Sequence, residues 1–347
     1  MENDRMRAIT ITAKGDPVTP NVSVVTDWPK PIPLAGEVLI RTEASALNHL
    51  DLWVGRGLPG IDTYPRVGGS DGCGRVEAVG PGVDEEWIGR RVVLNAAVLR
   101  TDALQPGHPA PTTSMHMLGE AGPGTHQAMF VAPVTNVLDV GDADPVEAAA
   151  FALSSLTAWR MITTKAKIHA GQTVLVTGIG GGVSLSSLAI LKWLDCTVVV
   201  TSRHQWKLDR AIELGADDAI LDTGEDWSRS VRTLTRKRGV DACIDSVGQA
   251  IHESCLKSLA RGGVFVTCGC TSGPLATTDL SRVFWNQLSI LGSTMGDMDE
   301  FQAVIALFQS GHLKPVMDSV HQVADARAAW ARLESGEQFG KIALQWS

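Results

Sequence analysis

Residues 173–188 read Thr-Val-Leu-Val-Thr-Gly-Ile-Gly-Gly-Gly-Val-Ser-Leu-Ser-Ser-Leu, an apolar strand that runs into a glycine turn and straight on into a helix. No other stretch restricts the fold as much. A strand that feeds a helix rejoins its own sheet through a right-handed crossover. The chain repeats this alternation downstream, with strand-like runs at 173–177, 197–202, 219–222, 240–245 and 263–268 separated by helix-length segments. The expectation is α/β: a doubly wound parallel sheet with helices on both faces. Glycines at such a junction let the backbone turn sharply and let a pyrophosphate approach the N–H groups at the helix N-terminus. Gly178, Gly180, Gly181 and Gly182 are the candidates, with Val183 standing where a GxGxxG pattern would carry its third glycine.

The end of the second strand bears on which dinucleotide fits. An NAD site places an acid there for the ribose hydroxyls, and Val198-Val-Val-Thr-Ser-Arg203 ends without one. Ser202 and Arg203 can instead bind a 2′-phosphate, with Lys207 adding charge one helical turn on. The pattern therefore favours NADP(H). The alternative is that Arg203 and Lys207 are ordinary solvated charges.

With 347 residues the chain has room for two domains. The part before about residue 133 is rich in glycine and proline and carries short alternating runs, which read as a β-rich domain, and helical sequence covers 145–165. A further strand is expected at 288–291, a helix near 300–310 and a last strand at 340–345. A net charge of -8 argues against a nucleic-acid partner. No apolar stretch approaches the ~20 residues that span a bilayer, and none reads as a signal peptide. Cys73, Cys196, Cys243, Cys255, Cys268 and Cys270 form no framework, so a reducing cytoplasm with mostly buried thiols is the expectation.

Several motifs occur together: Pro33-Leu-Ala-Gly-Glu-Val-Leu-Ile-Arg41, Ala46-Leu-Asn-His-Leu-Asp-Leu-Trp53, Gly68-Gly-Ser-Asp-Gly-Cys-Gly-Arg-Val-Glu-Ala-Val-Gly80, the glycine turn, Asp245-Ser-Val-Gly248 and Phe339-Gly-Lys-Ile-Ala-Leu344. The chain resembles the medium-chain dehydrogenase/reductases over nearly its whole length. That resemblance implies a GroES-like β-rich catalytic domain at 1–150, completed by 300–347, around a Rossmann domain at 151–299. Zinc enzymes of the superfamily carry cysteine where this chain has Asn48, histidine at Ser70, and cysteine or aspartate near Leu153. Amide and hydroxyl oxygens bind zinc poorly and leucine not at all. Asp71 stands where the family has a neighbouring acid, and Leu50 replaces its relay hydroxyl. Residues 95–126 lack the four cysteines of the family's structural zinc lobe. His108, His116 and His126, spread through that segment, read as ordinary loop histidines rather than metal ligands.

The combination is similar to the metal-free quinone-oxidoreductase (zeta-crystallin-like) branch. It implies hydride transfer from NADPH to a quinone or α,β-unsaturated carbonyl, with Asn48 donating to the substrate oxygen and His49 a weaker candidate. Asp51, Trp53 and Tyr64 are assigned to the substrate pocket. For Asp51 a role in fixing the local turn is the stronger reading, and for Tyr64 loop packing is an equal alternative. Trp159 and Trp285 are further candidate walls. By resemblance Thr157 contacts the nicotinamide end of the cofactor, Val247 and Gly248 the adenosine ribose, and Cys268, Gly269, Ser293 and Thr294 the nicotinamide. Lys341 is expected near the cofactor phosphates or as a solvated strand lysine, and an exposed edge at 288–291 suggests a homodimer. Two alternatives stay open: a metal-free or zinc-type alcohol dehydrogenase or aldehyde reductase, and a crystallin-like or RNA-binding protein without activity.

Overall fold

The structure is a computed structural model that describes residues 4–99 and 115–346; the expectation for His108 and the proline-rich stretch around it lies outside them. The chain divides into two compact units, one of Met1–Leu153, Asp297–Gln309 and Met317–Ser347, the other of Ser154–Gly296 and Ser310–Val316. In chain order the first unit holds β1 (Arg5–Ile11), β2 (Val22–Pro29), β3 (Glu37–Ala46), α1 (His49–Arg56), β4 (Arg66–Val67), β5 (Asp71–Val79), β6 (Arg91–Leu94), β7 (Ala97–Leu99), β8 (Met115–Met117), β9 (Met129–Pro133) and β10 (Val137–Asp139). Then α2 (Pro145–Trp159) leads into the second unit: β11 (Thr173–Val176), α3 (Gly182–Trp193), β12 (Thr197–Ser202), α4 (Gln205–Glu213), β13 (Asp218–Leu221), α5 (Ser228–Leu234), β14 (Val240–Asp245), α6 (His252–Ser258), β15 (Leu259–Thr267), α7 (Leu280–Asn286) and β16 (Ser289–Gly292). The chain closes with α8 (Met298–Gln309), β17 (Met317–Gln322), α9 (Ala326–Glu334) and β18 (Lys341–Gln345).

The second unit is a Rossmann-type sheet in the order β13-β12-β11-β14-β15-β16, parallel throughout. Its central strands are apolar without alternation, as burial on both faces demands: Val174, Leu175, Val176, Val198, Val199 and Val200 are each at most 1% exposed. Strand order reverses between β11 and β14, the place where such sheets open a crevice for ligands. The helix expected at 145–165 is α2 followed by a π-helical stretch, Arg160–Lys165. The strand expected at 263–268 starts earlier, at Leu259, and its pairing with β14 is irregular between Val240 and Ala242.

The first unit is GroES-like. Its main sheet runs β10-β6-β5-β3-β18-β17, with β9 also on β3. The pairing that matters for function is β18 against β3, antiparallel with Ala343 opposite Ala46. On its other side Ala46 faces Asp71 of β5. The last residues of the chain are thereby placed beside the loop that follows β3. Ile9, Ile11, Leu47, Leu52, Trp330 and Leu344 pack together underneath. Among the described residues no helix is long and apolar enough to cross a membrane.

Candidate active site

Asn48 sits between the end of β3 and the start of α1 with extended backbone, φ -127° and ψ 160°. Three residues on, the Asp51 carboxylate reaches back so that Oδ2 accepts the Asn48 backbone N–H at 2.8 Å. An acid at this point of the first turn fixes the helix entry. The side chain it holds belongs to a charged cluster. Asn48 Nδ2 donates to Asp71 Oδ2 at 2.8 Å, and Lys341 Nζ donates to Asn48 Oδ1 at 2.6 Å and to Asp71 Oδ2 at 2.8 Å. Asp71 Oδ1 accepts the Leu153 backbone N–H at 2.8 Å. The Asp71 and Lys341 side chains are 0% and 5% exposed. A buried ion pair is tolerated only where its remaining lone pairs find donors, and both oxygens of Asp71 do.

Behind this cluster lies a second layer. Asp51 Oδ1 accepts the Gly69 N–H at 3.1 Å and touches His126 Nε2 at 3.3 Å, off the hydrogen-bond line. His126 Nδ1 meets Ser45 Oγ at 3.0 Å, and Trp346 Nε1 donates to the same oxygen at 2.9 Å. His49 and Trp53 stand on α1 edge to face, their rings 5.2 Å apart. Burial, helped by the Arg56 charge, holds the His49 imidazole below its ordinary pKa, so it stands neutral near pH 7.

In the second unit the candidate cofactor residues gather at the carboxyl ends of the strands. After β11 come Gly178 and Gly180, at φ +61° and +125°. A Cβ on Gly178 would lie 2.6 Å from Val247 Cγ2, and one on Gly180 would lie 2.9 Å from Lys207 Cδ. Only glycine fits both positions. Gly181 precedes α3 without a side-chain cap, so Gly182 and Val183 open the helix with N–H groups that have no intrahelical acceptor. At the end of β12, Ser202 is buried and its hydroxyl accepts the His204 N–H at 3.2 Å, while Arg203 is exposed. Lys207 is 5% exposed, with its amine 5.3 Å from the centre of the Trp206 ring. Asp245 ends β14: its carboxylate accepts from Thr177 Oγ1 at 2.7 Å, Val247 N at 3.0 Å, Gly248 N at 3.1 Å and Thr267 Oγ1 at 3.2 Å. It ties together the ends of β11, β14 and β15, and burial pushes its pKa up against those donors.

Residues 34–142 match the family described as alcohol dehydrogenase GroES-like domain, and residues 182–310 that described as zinc-binding dehydrogenase. The chain is 30% identical over 339 residues to the "Zinc-type alcohol dehydrogenase-like protein YogA" of Leptosphaeria maculans, covering 91% of this chain and 92% of that one. The chain is a medium-chain dehydrogenase/reductase. It is also 27% identical to a Schizosaccharomyces pombe protein named "Probable quinone oxidoreductase", over 92% of each. A solved structure called an NAD-dependent alcohol dehydrogenase superposes with a TM-score of 0.89 at 36% identity, over 99% of this chain and all of the other. This dehydrogenase/reductase is thus an oxidoreductase of a family that works with nicotinamide cofactors.

The structure gives each of the other expected site residues of this dehydrogenase/reductase its surroundings. Lys341 is not a solvated strand lysine; the β18–β3 register carries its amine to Asn48 and Asp71. Asp51, assigned to the substrate pocket, is 2% exposed and has its oxygens occupied by Asn48, Gly69 and His126. Tyr64 packs in the loop and donates to Val54 O at 2.7 Å. His126 lies in the loop before β9, as expected, but is fully buried, while His116 stays half-buried on β8. Lys207 is buried by α4 packing on the glycine turn rather than solvated. Cys268 and Cys270 fall beyond the end of β15, Cys270 exposed and Cys268 with its thiol pushed up to about 12 by burial. In the Rossmann unit Thr157 is buried on α2, Trp159 lies 6.0 Å from Trp193, and Trp285 is 72% exposed. The Gly269 N–H points to Thr267 Oγ1 at 3.4 Å, the Ser293 N–H donates to Thr267 O at 2.9 Å, and Thr294 is exposed. Asp245 and His126 went unrecognised as site residues; the first signal was the Asp-Ser-Val-Gly motif, and the second had none in its local sequence.

Proposed function

We propose that this chain is an NADP(H)-dependent oxidoreductase that transfers hydride to a quinone or an α,β-unsaturated carbonyl without zinc. The observation that carries the reading is the Asn48–Asp71–Lys341 cluster. Asn48, Ser70 and Leu153 stand at the family's zinc-ligand positions, and none offers a good zinc donor. The one carboxylate beside them, Asp71, is already bonded to an ammonium, an amide and a backbone N–H. Among the described residues no group of three or more His, Cys, Asp or Glu is placed to hold a metal ion. This donor set does not fit the zinc that the family's description implies. Without a Lewis acid, forming an alkoxide from an alcohol is hard, whereas an electron-poor acceptor needs only hydrogen-bond donors at the oxygen that gains charge.

The Rossmann unit offers a cradle that fits a dinucleotide: Gly178, Gly180 and the open N–H groups at Gly182 and Val183 for the pyrophosphate, and Ser202, Arg203 and Lys207 for a 2′-phosphate. A bound reduced nicotinamide supplies the hydride. Asn48 donates to the acceptor's oxygen, neutral His49 and Trp53 form the surface beside it, and the closing proton comes from solvent. The second reading, a zinc-type or NAD-dependent alcohol dehydrogenase, is favoured by the names of the relatives. Metal analysis joined to an acceptor screen decides between them. The reading holds if protein free of stoichiometric zinc oxidises NADPH with benzoquinone or cyclohexenone, and fails if turnover needs about one tightly bound zinc per chain or follows simple alcohols.

A homodimer belongs to the same proposal. Among the described residues no strand pairs with the outer side of β16, where Ile290 is 41% exposed and Phe284 and Trp285 of α7 are 69% and 72% exposed. Antiparallel pairing of two such edges about a two-fold axis satisfies the strands and covers the patch. Light scattering that gives a monomer at micromolar concentration refutes it.

A further inference from the structure

The ammonium of Lys341 is the one charged group in the Asn48 cluster to which the reading above gives no task. An ammonium has three N–H donors and an amide nitrogen two. Lys341 Nζ gives two of its three to Asn48 Oδ1 and Asp71 Oδ2, and Asn48 Nδ2 gives one of its two to that same Asp71 oxygen. Among the described residues each nitrogen therefore keeps one N–H beyond these bonds. Both nitrogens lie 2.8 Å from one oxygen, Asp71 Oδ2, which keeps them near each other. The carboxylate that holds them is fully covered, while Asn48 is half-buried and Lys341 keeps a 5% exposed margin.

We propose that Lys341 and Asn48 form a two-donor oxyanion site in which the buried ammonium supplies the positive charge at the substrate oxygen. The proposal rests on the reading of this chain as a zinc-free carbonyl or quinone reductase and gives that site its electrophile. A bound reduced nicotinamide would supply a hydride to the acceptor carbon, and the π pair of the carbonyl would then move to oxygen. The oxygen then accepts N–H bonds from Nζ of Lys341 and Nδ2 of Asn48. One proton from solvent completes the reduction, so the acceptor gains a hydride and a proton, the nicotinamide is oxidised, and Lys341 ends as it began. Asp71 keeps the resting cluster neutral overall, which suits an uncharged substrate. The donors are fixed before charge develops, and pre-aligned donors are the most effective kind.

The test uses para-nitrophenol, whose phenolate carries its charge on an oxygen and needs no turnover to report. Wild type should bind the phenolate in preference to the phenol. The double variant Asp71→Asn/Lys341→Met removes both charges together, so no lone buried charge remains to unfold it. It should lose that preference by about tenfold to a hundredfold and slow single-turnover hydride transfer by about 10²–10³, the usual effect of deleting an oxyanion donor. Its melting temperature and NADPH affinity should stay close to those of wild type. A phenolate preference, or a hydride-transfer rate, that stays within about threefold in the double variant overturns the proposal. If that variant does not fold, Asn48→Ala, with its ion pair intact, decides: about a tenfold loss of phenolate preference supports the site, and no loss overturns it. The two readings separate cleanly. Wild type that prefers phenolate but reduces no acceptor rejects the reductase and keeps the oxyanion site, whereas wild type that reduces acceptors without any phenolate preference rejects the site and keeps the reductase.

Discussion

The two units present their chemistry in different materials. In the Rossmann unit the proposed cofactor side is mainly backbone: glycines at positive φ, the open N–H groups at the start of α3, and loops held by Asp245. The GroES-like unit does it with side chains, through Asn48, Asp71 and Lys341 in front and Asp51, His126 and Ser45 behind. The difference shows in their two buried aspartates. Asp245 accepts from two threonine hydroxyls and two backbone N–H groups, all neutral, and burial raises its pKa, whereas Asp71 has an ammonium at 2.8 Å. A site made of backbone is damaged mostly by adding atoms, a site made of side chains mostly by removing them.

The largest expected effect tests the second half of that contrast. Asp71→Ala leaves the Lys341 ammonium, 5% exposed, without a counter-charge. Breaking a buried pair from one side costs about 3–5 kcal/mol, and urea denaturation should show a loss of that size. A loss below about 1 kcal/mol, the usual worth of an exposed pair, would mean that the amine simply swings out to water, and the two units would then differ less than their geometry indicates.

Cofactor choice comes next, because it is the point at which the backbone site depends on side chains. A 2′-phosphate needs donors, and Arg203 stands exposed at the end of β12. Charge-assisted hydrogen bonds are worth about 1.5–3 kcal/mol, so Arg203→Ala should weaken NADPH binding about ten- to a hundredfold and leave NADH nearly unchanged. Ser202→Asp should go further and favour NADH, by repelling the phosphate and accepting from the free ribose hydroxyls. Titration of both cofactors checks this. Equal weakening of the two would show that Arg203 does not read the phosphate, and tight NADH binding by wild type would set aside the NADP(H) assignment.

The same contrast explains what could be read from the sequence. The Rossmann unit is local: its strands, turn glycines and strand-end residues are spelled out in order, and β12 and β14 fall where the apolar runs place them. Asn48 was legible too, because its motif surrounds it. Lys341 was not, since it meets Asn48 across 293 residues and only the β18–β3 register brings them together. A signal did exist. Lys341 opens a strand whose next three residues, Ile342, Ala343 and Leu344, are apolar and fully covered, and a lysine heading such a strand needs a buried partner. His126 offered no comparable sign. It sits among polar loop residues, and its burial against Ser45, Asp51 and Trp330 comes from contacts distant in sequence.

His126 also gives the smallest and sharpest test of the comparison, since it lies behind the cluster and touches Asn48 only through Asp51. His126→Phe keeps a flat ring in the fully buried site and its edge contact with Trp330, now at 5.1 Å. It removes the Ser45 bond and the Asp51 contact. Neither partner is left bare, because Ser45 still accepts from Trp346 and Asp51 Oδ1 still accepts from Gly69. The cost should therefore be that of one ordinary hydrogen bond, about 0.5–1.5 kcal/mol in urea denaturation. Turnover should fall by less than about tenfold, because a 1.4 kcal/mol change corresponds to a factor of 10, and NADPH affinity should not move. If turnover collapses while stability holds, the Asp51–His126 contact sets the aim of Asn48 and belongs to the catalytic arrangement; if stability collapses instead, the second layer is part of the fold's core, and the side-chain site extends deeper into the first unit than the Asn48 cluster alone.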